Sequence, residues 1–252
     1  MASAARSCGV PLVCVSYARV AGLATRRQSR YAQACAVAFS DTSLPNAIHT
    51  GAPVKAQLRH LDIAASRNDA RRELGITLDA LCVTIVGGSL GSGVLNSAVG
   101  SLGVAGSHLD NVVIYHVCGV RNEHDPQPVL PDNVGYIRRG YETRMAELYA
   151  ASDLLIARAG ASTVAEIATV GVASVLVPWS GAADNHQQLN AAWLADNGGA
   201  VIVHENDFSS SQGMQAVVDL LENPIRRHEI AARAYELGDI HRGKSLVEAI
   251  QN

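Results

Sequence analysis

An α/β protein with a doubly wound parallel sheet covered by helices is predicted by three features of this sequence. Short apolar runs of buried-strand type alternate with helical patterns along most of the chain. The 48% hydrophobic content is built from Ala, Val and Leu with only 4% aromatics, which suits helices packed on a sheet better than an aromatic-rich sandwich. The third is a strand–turn–helix signature, Asp153-Leu-Leu-Ile-Ala-Arg-Ala-Gly-Ala-Ser-Thr-Val-Ala-Glu166, around which the remainder is arranged. With 252 residues there is room for one large or two small domains.

Composition also excludes some functions. A net charge of −3 argues against a general nucleic-acid binder. The five cysteines are scattered, mostly within apolar runs, with no CxxC pair; they read as reduced core residues of a cytosolic protein, without a zinc site. Residues 1–30 are rich in Ala, Ser and Arg, like a transit peptide, but Pro11 and Arg19 interrupt them. A helix over 2–8, a stop at Gly9 and a strand over 11–16 is the preferred reading, and no run approaches the ~20 apolar residues of a spanning helix.

The elements follow in order. A helix over 21–32 carries Arg26, Arg27 and Arg30, a strand covers 35–39, and 42–48 reads as a turn-rich connector. Thr50 to Lys55 resembles a hinge into a second unit. There Ser66 and Asp69 suggest a cap for a helix over 69–74, closed by Gly75. Residues 80–86 form a nearly unbroken apolar strand, followed by Gly87-Gly88-Ser89-Leu90-Gly91-Ser92-Gly93 and a helix from about Val94. Strands over 112–117 and 134–137, a helix over 142–151, a strand over 154–157 and another over 172–177 continue the alternation. A helix through Ala195 comes next, and from Asp207 onward two or three covering helices break near Asn223-Pro224.

Three loops should meet where parallel strands end. After strand 154–157 the small residues Ala159-Gly160-Ala161 leave helix N–H groups unpartnered, with Ser162 or Thr163 as N-cap, and a phosphate can sit there. Glu166, one turn on, can accept hydrogen bonds from ribose-type hydroxyls. The loop 87–93 lets backbone approach an anion without a Cβ in the way, though it is neither a Walker loop nor a full GxGxxG fingerprint. The third loop, 180–190, holds Asp, His, Gln and Asn side chains. Each loop taken alone also fits a plain tight turn or close helix–sheet packing.

Together Gly87-Gly88-Ser89-x-Gly91, Arg158-x-Gly160-Ala161-x-Thr163-x-x-Glu166, Val177-Pro178 and His186-Gln187-x-x-Asn190-Ala resemble the MurG-type peptidoglycan glycosyltransferases, with Gly51-x-Pro53-Val54 similar to that family's interdomain hinge. The resemblance runs from about residue 9 to 205. It implies a GT-B fold, with residues 1–50 the tail of an N-terminal Rossmann-like acceptor domain, 51–225 a complete C-terminal Rossmann-like donor domain, and 226–252 covering helices. It implies an inverting, cofactor-free and metal-free transfer of N-acetylglucosamine from UDP-N-acetylglucosamine to undecaprenyl-linked muramoyl-pentapeptide, on the cytoplasmic face of the bacterial membrane as a peripheral protein. Carried across, Gly88, Ser89 and Gly91 contact the UDP, and Gly160, Ala161, Ser162 and Thr163 the diphosphate. Glu166 takes the ribose, the backbone near Tyr141 and Glu142 reads the uracil, and His186, Gln187 and Asn190 belong to the sugar end. Lys55 stands where the family usually has Arg, keeping the charge without the bidentate fork.

This sequence departs from the family's pattern at its start. Val15-Ser16-Tyr17-Ala18-Arg19 replaces a His-Glu-x-Asn stretch, and the family's earlier glycine loop and proposed catalytic His have no counterpart. The expectation is an N-terminally truncated member whose chain alone transfers no sugar. Two alternatives stay open: the donor subunit of a split enzyme whose partner chain supplies the acceptor half, and a non-catalytic nucleotide-sugar-binding remnant. None of the nine histidines is assigned as catalytic base.

Overall fold

Among the described residues of the computed structural model, 2–251, nine strands form two wholly parallel sheets. The small sheet comes first: α1 (Ala2–Ser7), β1 (Val13–Ser16), α2 (Leu23–Ser29), β2 (Ala34–Val37) and β3 (Ala47–His49), in the order β1-β2-β3. Strand β3 lies in the stretch expected to be a connector. All three of its residues are exposed, so it lacks the alternation that marks a strand in sequence, and Asn46 enters it at φ 49°. Thr50 and Gly51 then donate to the Val37 carbonyl, and Ala52 N–H donates to His241 Nδ1 at 3.0 Å. Gly51, at φ 77°, passes so close to Ile240 that a Cβ would stand 2.5 Å from its carbonyl oxygen.

The larger unit begins with α3 (Ala56–Arg59) and α4 (Ile63–Leu74). Helix α4 starts six residues before the expected 69: Asp62, not Ser66, is its N-cap, accepting from Ala65 N–H at 3.0 Å, and Ser66 and Asp69 lie inside the helix. Gly75 closes it in the left-handed conformation, as its position suggests. The strands β4 (Leu81–Val86), β5 (Val112–Val117), β6 (Val134–Arg139), β7 (Leu154–Ala157), β8 (Ser174–Leu176) and β9 (Val201–Ile202) take the order β6-β5-β4-β7-β8-β9. Between them run α5 (Gly93–Gly106), α6 (Met145–Ala151), α7 (Ala161–Val170) and α8 (His186–Ala195). Helix α6 starts three residues later than expected because Glu142 accepts from Arg144 N–H and folds residues 142–144 into a turn.

Both faces of this sheet are covered. Val83, Ile85, Ile114 and Ile156 pack against Leu95, Val99 and Leu102 of α5 and, beyond them, α9 (Ser211–Glu222). On the opposite face Cys82 and Tyr115 meet Leu74 and Leu148, while Leu155 and Leu176 meet Ile167 and Leu194. Asp153, ahead of β7, binds the guanidinium groups of Arg67 and Arg71 and the Cys82 N–H, tying α4 to two strand starts. Helix α10 (Pro224–Leu237), with Pro224 at its first turn and Asn223 as cap, lies on α7. With α11 (Asp239–Arg242) beside Gly51 and Ala52 and α12 (Ser245–Gln251) against β2, the C-terminal stretch has, among the described residues, four helices rather than two or three. Cys8 is exposed and the other cysteines are buried thiols. Among the described residues no helix is long and apolar enough to cross a membrane.

Candidate functional site

The chain leaves β4 toward β5 on one side and leaves β7 toward β8 on the other, so the carboxyl ends of the adjacent β4 and β7 border the crevice where strand order reverses. Val86 pairs with Ala157, and Ala157 with Leu176, so the three following loops start level with one another. In the first, Gly88 and Gly91 take φ of 87° and 78°, closed to most side chains. Their surroundings differ: above Gly88 lies open space, whereas a Cβ on Gly91 would overlap the Cys118 carbonyl and stand 2.6 Å from Asn122 Nδ2. Ser89 and Leu90 are exposed, and Ser92 caps α5 by accepting from Leu95 N–H.

In the second loop the cap is Gly160, not Ser162 or Thr163. Gly160 is extended (φ −61°, ψ 147°) with no side-chain cap bond, so the first amides of α7 carry no side-chain partner, and Ala161, Ser162 and Thr163 form the first turn. Glu166 sits one turn further on, half-buried, and Tyr149 Oη donates to its Oε2 at 2.8 Å. Burial pushes its carboxyl above the usual range, opposed by the Tyr149 bond and the nearby Lys55 ammonium. That proximity places Lys55 with Glu166.

The side chain of Glu142 is turned inward. It is buried, taking hydrogen bonds from Tyr115 Oη and from Arg144 backbone and guanidinium; against the push of burial these bonds hold its carboxyl at about 2. Tyr141 beside it is exposed. Nearby, His116 is held neutral, burial lowering it to about 4: its Nδ1 faces Tyr136 Oη at 2.9 Å and its Nε2 faces Asn96 Oδ1 at 3.0 Å. Since Asn96 Nδ2 donates to the Cys118 carbonyl, its oxygen is the acceptor and the imidazole proton sits on Nε2.

The third loop carries strain. Asp184 and Asn185 are successive non-glycine residues at φ 50° and 53°, leading into α8. His186 and Gln187 open that helix, half-buried, with His186 Nδ1 at 2.7 Å from the Ala183 carbonyl and Gln187 Oε1 accepting from Trp179 N–H at 3.0 Å. Asn190, expected at the sugar end, is different. It is fully buried, its Nδ2 donating to the Ala159 carbonyl and its Oδ1 accepting from Arg19 N–H, so it joins α8 to the second loop and to the small sheet's unit. Arg158 and Glu205 form an ion pair behind the loop, reinforced by Ser180.

A cavity of about 470 Å³ opens beside Trp179, Asn185 and Gln188. A larger one, about 850 Å³, lies at the opposite edge of the sheet, beside Asp153 and residues 171–173 that precede β7 and β8. The convergence of loops, rather than cavity size, selects the carboxyl edge. Among the described residues no cluster of three or more His, Cys, Asp or Glu side chains is arranged to hold a metal ion.

Residues 82–247, which span all three loops, match the glycosyltransferase family 28 C-terminal domain. The chain belongs to glycosyltransferase family 28. Within it, the chain is 37% identical over 239 residues to the UDP-N-acetylglucosamine--N-acetylmuramyl-(pentapeptide) pyrophosphoryl-undecaprenol N-acetylglucosamine transferase of a Nocardioides species, covering 93% of this chain and 64% of that protein. To the protein of the same name from Acidothermus cellulolyticus it is 33% identical over 256 residues, covering 98% and 68%. Acinetobacter baumannii MurG superposes on 99% of this chain, using 68% of its own, with a TM-score of 0.77 at 29% identity. The chain thus spans less than two thirds of the Nocardioides relative's length. The two parallel sheets with their covering helices are of the GT-B type.

Tyr149, Arg158, Ser180 and Glu205 are the residues that sequence reasoning did not assign to the site. Arg158 stood in the motif with no role attached, and the buried face of α6 was the only sign of Tyr149.

Proposed function

We propose that this chain holds the nucleotide-sugar donor in the transfer of N-acetylglucosamine from UDP-N-acetylglucosamine to an undecaprenyl-linked muramoyl-pentapeptide acceptor. The unit over residues 51–225 is the donor unit in this reading. The names of its relatives support the reaction, and one observation in the chain itself carries the donor site. The crevice between β4 and β7 is bordered by the open backbone at Gly88 and by the uncapped N-terminus of α7, with Glu166 held one turn behind by Tyr149. A diphosphate fits against such amides, and a carboxylate fixed by a buried tyrosine suits a ribose diol. His186 and Gln187 then stand toward the sugar, and the backbone at Tyr141 toward the base.

The chemistry is inversion: the acceptor hydroxyl attacks the anomeric carbon as UDP departs. The leaving diphosphate gains charge, which helix amides and the Lys55 ammonium stabilise. Work at the inner face of the cytoplasmic membrane, on a lipid-linked acceptor, belongs to the same proposal. Titration calorimetry of the chain with UDP and with UDP-N-acetylglucosamine is expected to give 1:1 binding, and Glu166→Ala to weaken both by about 1–3 kcal/mol. Absence of binding by any uridine nucleotide at millimolar concentration overturns the donor site.

A further inference from the structure

We propose that Glu205 is the positioning residue that sets the sugar-facing loop, and thereby the preference for the sugar nucleotide over the bare nucleotide; this rests on the donor reading above. The strands β7, β8 and β9 are neighbours, and the segments leaving their carboxyl ends carry Arg158, the loop from Pro178 to Asn185, and Glu205. One carboxylate joins all three. Its Oε1 accepts from Arg158 Nη2, and its Oε2 accepts from Ser180 N–H at 2.9 Å and Ser180 Oγ at 2.5 Å. Arg158 Nη1 in turn donates to the Val177 carbonyl at 3.1 Å. Both side chains are nearly enclosed, at 13% and 11% exposure, so the pair is shielded from water and not merely superficial.

The loop needs such a clasp. Asp184 and Asn185 in left-handed conformations cost about 1–3 kcal/mol each and persist only where surrounding contacts over-determine them. Within the loop Ala182 N–H donates to the Trp179 carbonyl, Asn185 N–H to the Ala182 carbonyl, and His186 Nδ1 lies against the Ala183 carbonyl; from outside, Glu205 fixes Ser180, Gln187 Oε1 takes the Trp179 N–H, and the exposed Arg26 lies 3.8 Å from Asp184. Gln187 and His186 inherit their placement from where this loop ends. A carboxylate is required, because each oxygen faces donors only. An amide at this position would turn its NH2 either toward Arg158 or toward Ser180 N–H and break one side of the clasp. The hydrogen bonds from Ser180 and Arg158 hold the carboxyl below the usual range despite burial.

The test is calorimetry of the full chain and of Glu205→Gln with UDP and with UDP-N-acetylglucosamine, in parallel. The expected result is a UDP affinity within about twofold of the unmodified chain and a loss of about tenfold or more for the sugar nucleotide. Ser180→Ala, which removes the hydroxyl bond and keeps that of the N–H, should shift the same ratio by a smaller factor and serves if Glu205→Gln does not fold. Equal weakening of both ligands, or no change in either, overturns the inference while leaving the donor site standing. Failure of the unmodified chain to bind either ligand overturns the donor reading and this inference with it.

Discussion

Alanine at Gly88 and at Gly119 offers a telling comparison, because the two glycines share a positive φ and differ in the room around them. Their φ values are 87° and 91°, a range that L side chains rarely adopt, so an added methyl is strained at each; at Gly119, whose ψ is 141°, the conformation is nearly closed to any residue but glycine, and that strain adds to the crowding. Above Gly88 nothing lies within 4 Å, whereas a Cβ on Gly119 would stand 2.5 Å from Gly91 N, 2.6 Å from Gly91 Cα and 2.7 Å from the Leu90 carbonyl carbon. All three are backbone atoms, so no rotamer change relieves the overlap, and the loops after β4 and β5 must separate by about half an ångström. Forcing such a shift in packed structure adds about 1–3 kcal/mol. With a urea slope of about 2–3 kcal/mol per molar, Gly119→Ala should lower the unfolding midpoint by about 0.5–1 M more than Gly88→Ala. The order should invert for UDP: Gly88→Ala places its methyl in the space assigned to the phosphates and weakens binding about tenfold, while a folded Gly119→Ala binds better than that. Equal losses of stability would refute the account of packed loops, and unimpaired UDP binding by Gly88→Ala would refute the assignment of the open space.

Acid should weaken the fold before its carboxylates titrate. His116 and His241 are buried and held near 4 against an ordinary 6.5, chiefly by burial, helped by Arg138 at His116 and by His49 and Arg242 at His241. Below 6.5 the unfolded chain takes up protons that the folded chain refuses, so stability present at neutral pH falls as pH drops from 6.5 to 4, by about 3 kcal/mol per histidine. Glu142, held at about 2, loses its contribution only below its ordinary 4.5. Urea midpoints at pH 7, 6 and 5 measure the effect; a flat profile rejects it, and a folded His116→Gln variant should lessen the slope. Asp153→Ala should cost about 3–5 kcal/mol of stability without a specific change in UDP affinity, since it strands the buried Arg71 guanidinium far from the crevice. Thermal unfolding together with calorimetry checks this, and a loss under 1 kcal/mol contradicts it.

The site was legible where chemistry and position coincide in one segment. The loops 87–93 and 159–166 announce themselves because an apolar run, small residues and a helix pattern follow in order, and parallel pairing then brings them level. What escaped is what depends on registration between distant segments. Tyr149 reaches Glu166 because its ring enters the cluster formed by Val164, Ile167 and Ala168 of α7, and Glu205 reaches Ser180 because β9 lies beside β8; neither distance is written in the local pattern. Asn190's contacts escaped for a related reason. Its place in a polar cluster suggested an open face, but the helix turns it toward Ala159 and Arg19. Strand β3 and the two-residue β9 were too short for any periodicity, and the cap of α4 was misplaced because both Asp62 and Ser66 are residues that favour caps.

The strand order also bears on how the chain is made. β4 is central, but its two neighbours arrive at very different times: β5 soon after, and β7 only once Ala157 has been synthesised. At cellular elongation rates the interval lasts several seconds, far longer than a hairpin or helix needs to form. Throughout it a nascent chain that has paired β4, β5 and β6 holds out one side of Leu81–Val86, a run without charge or proline, with its N–H and C=O groups unmatched. That window, closed by the same β7 that completes the crevice, is when this polypeptide is most open to pairing with a neighbour emerging from the next ribosome.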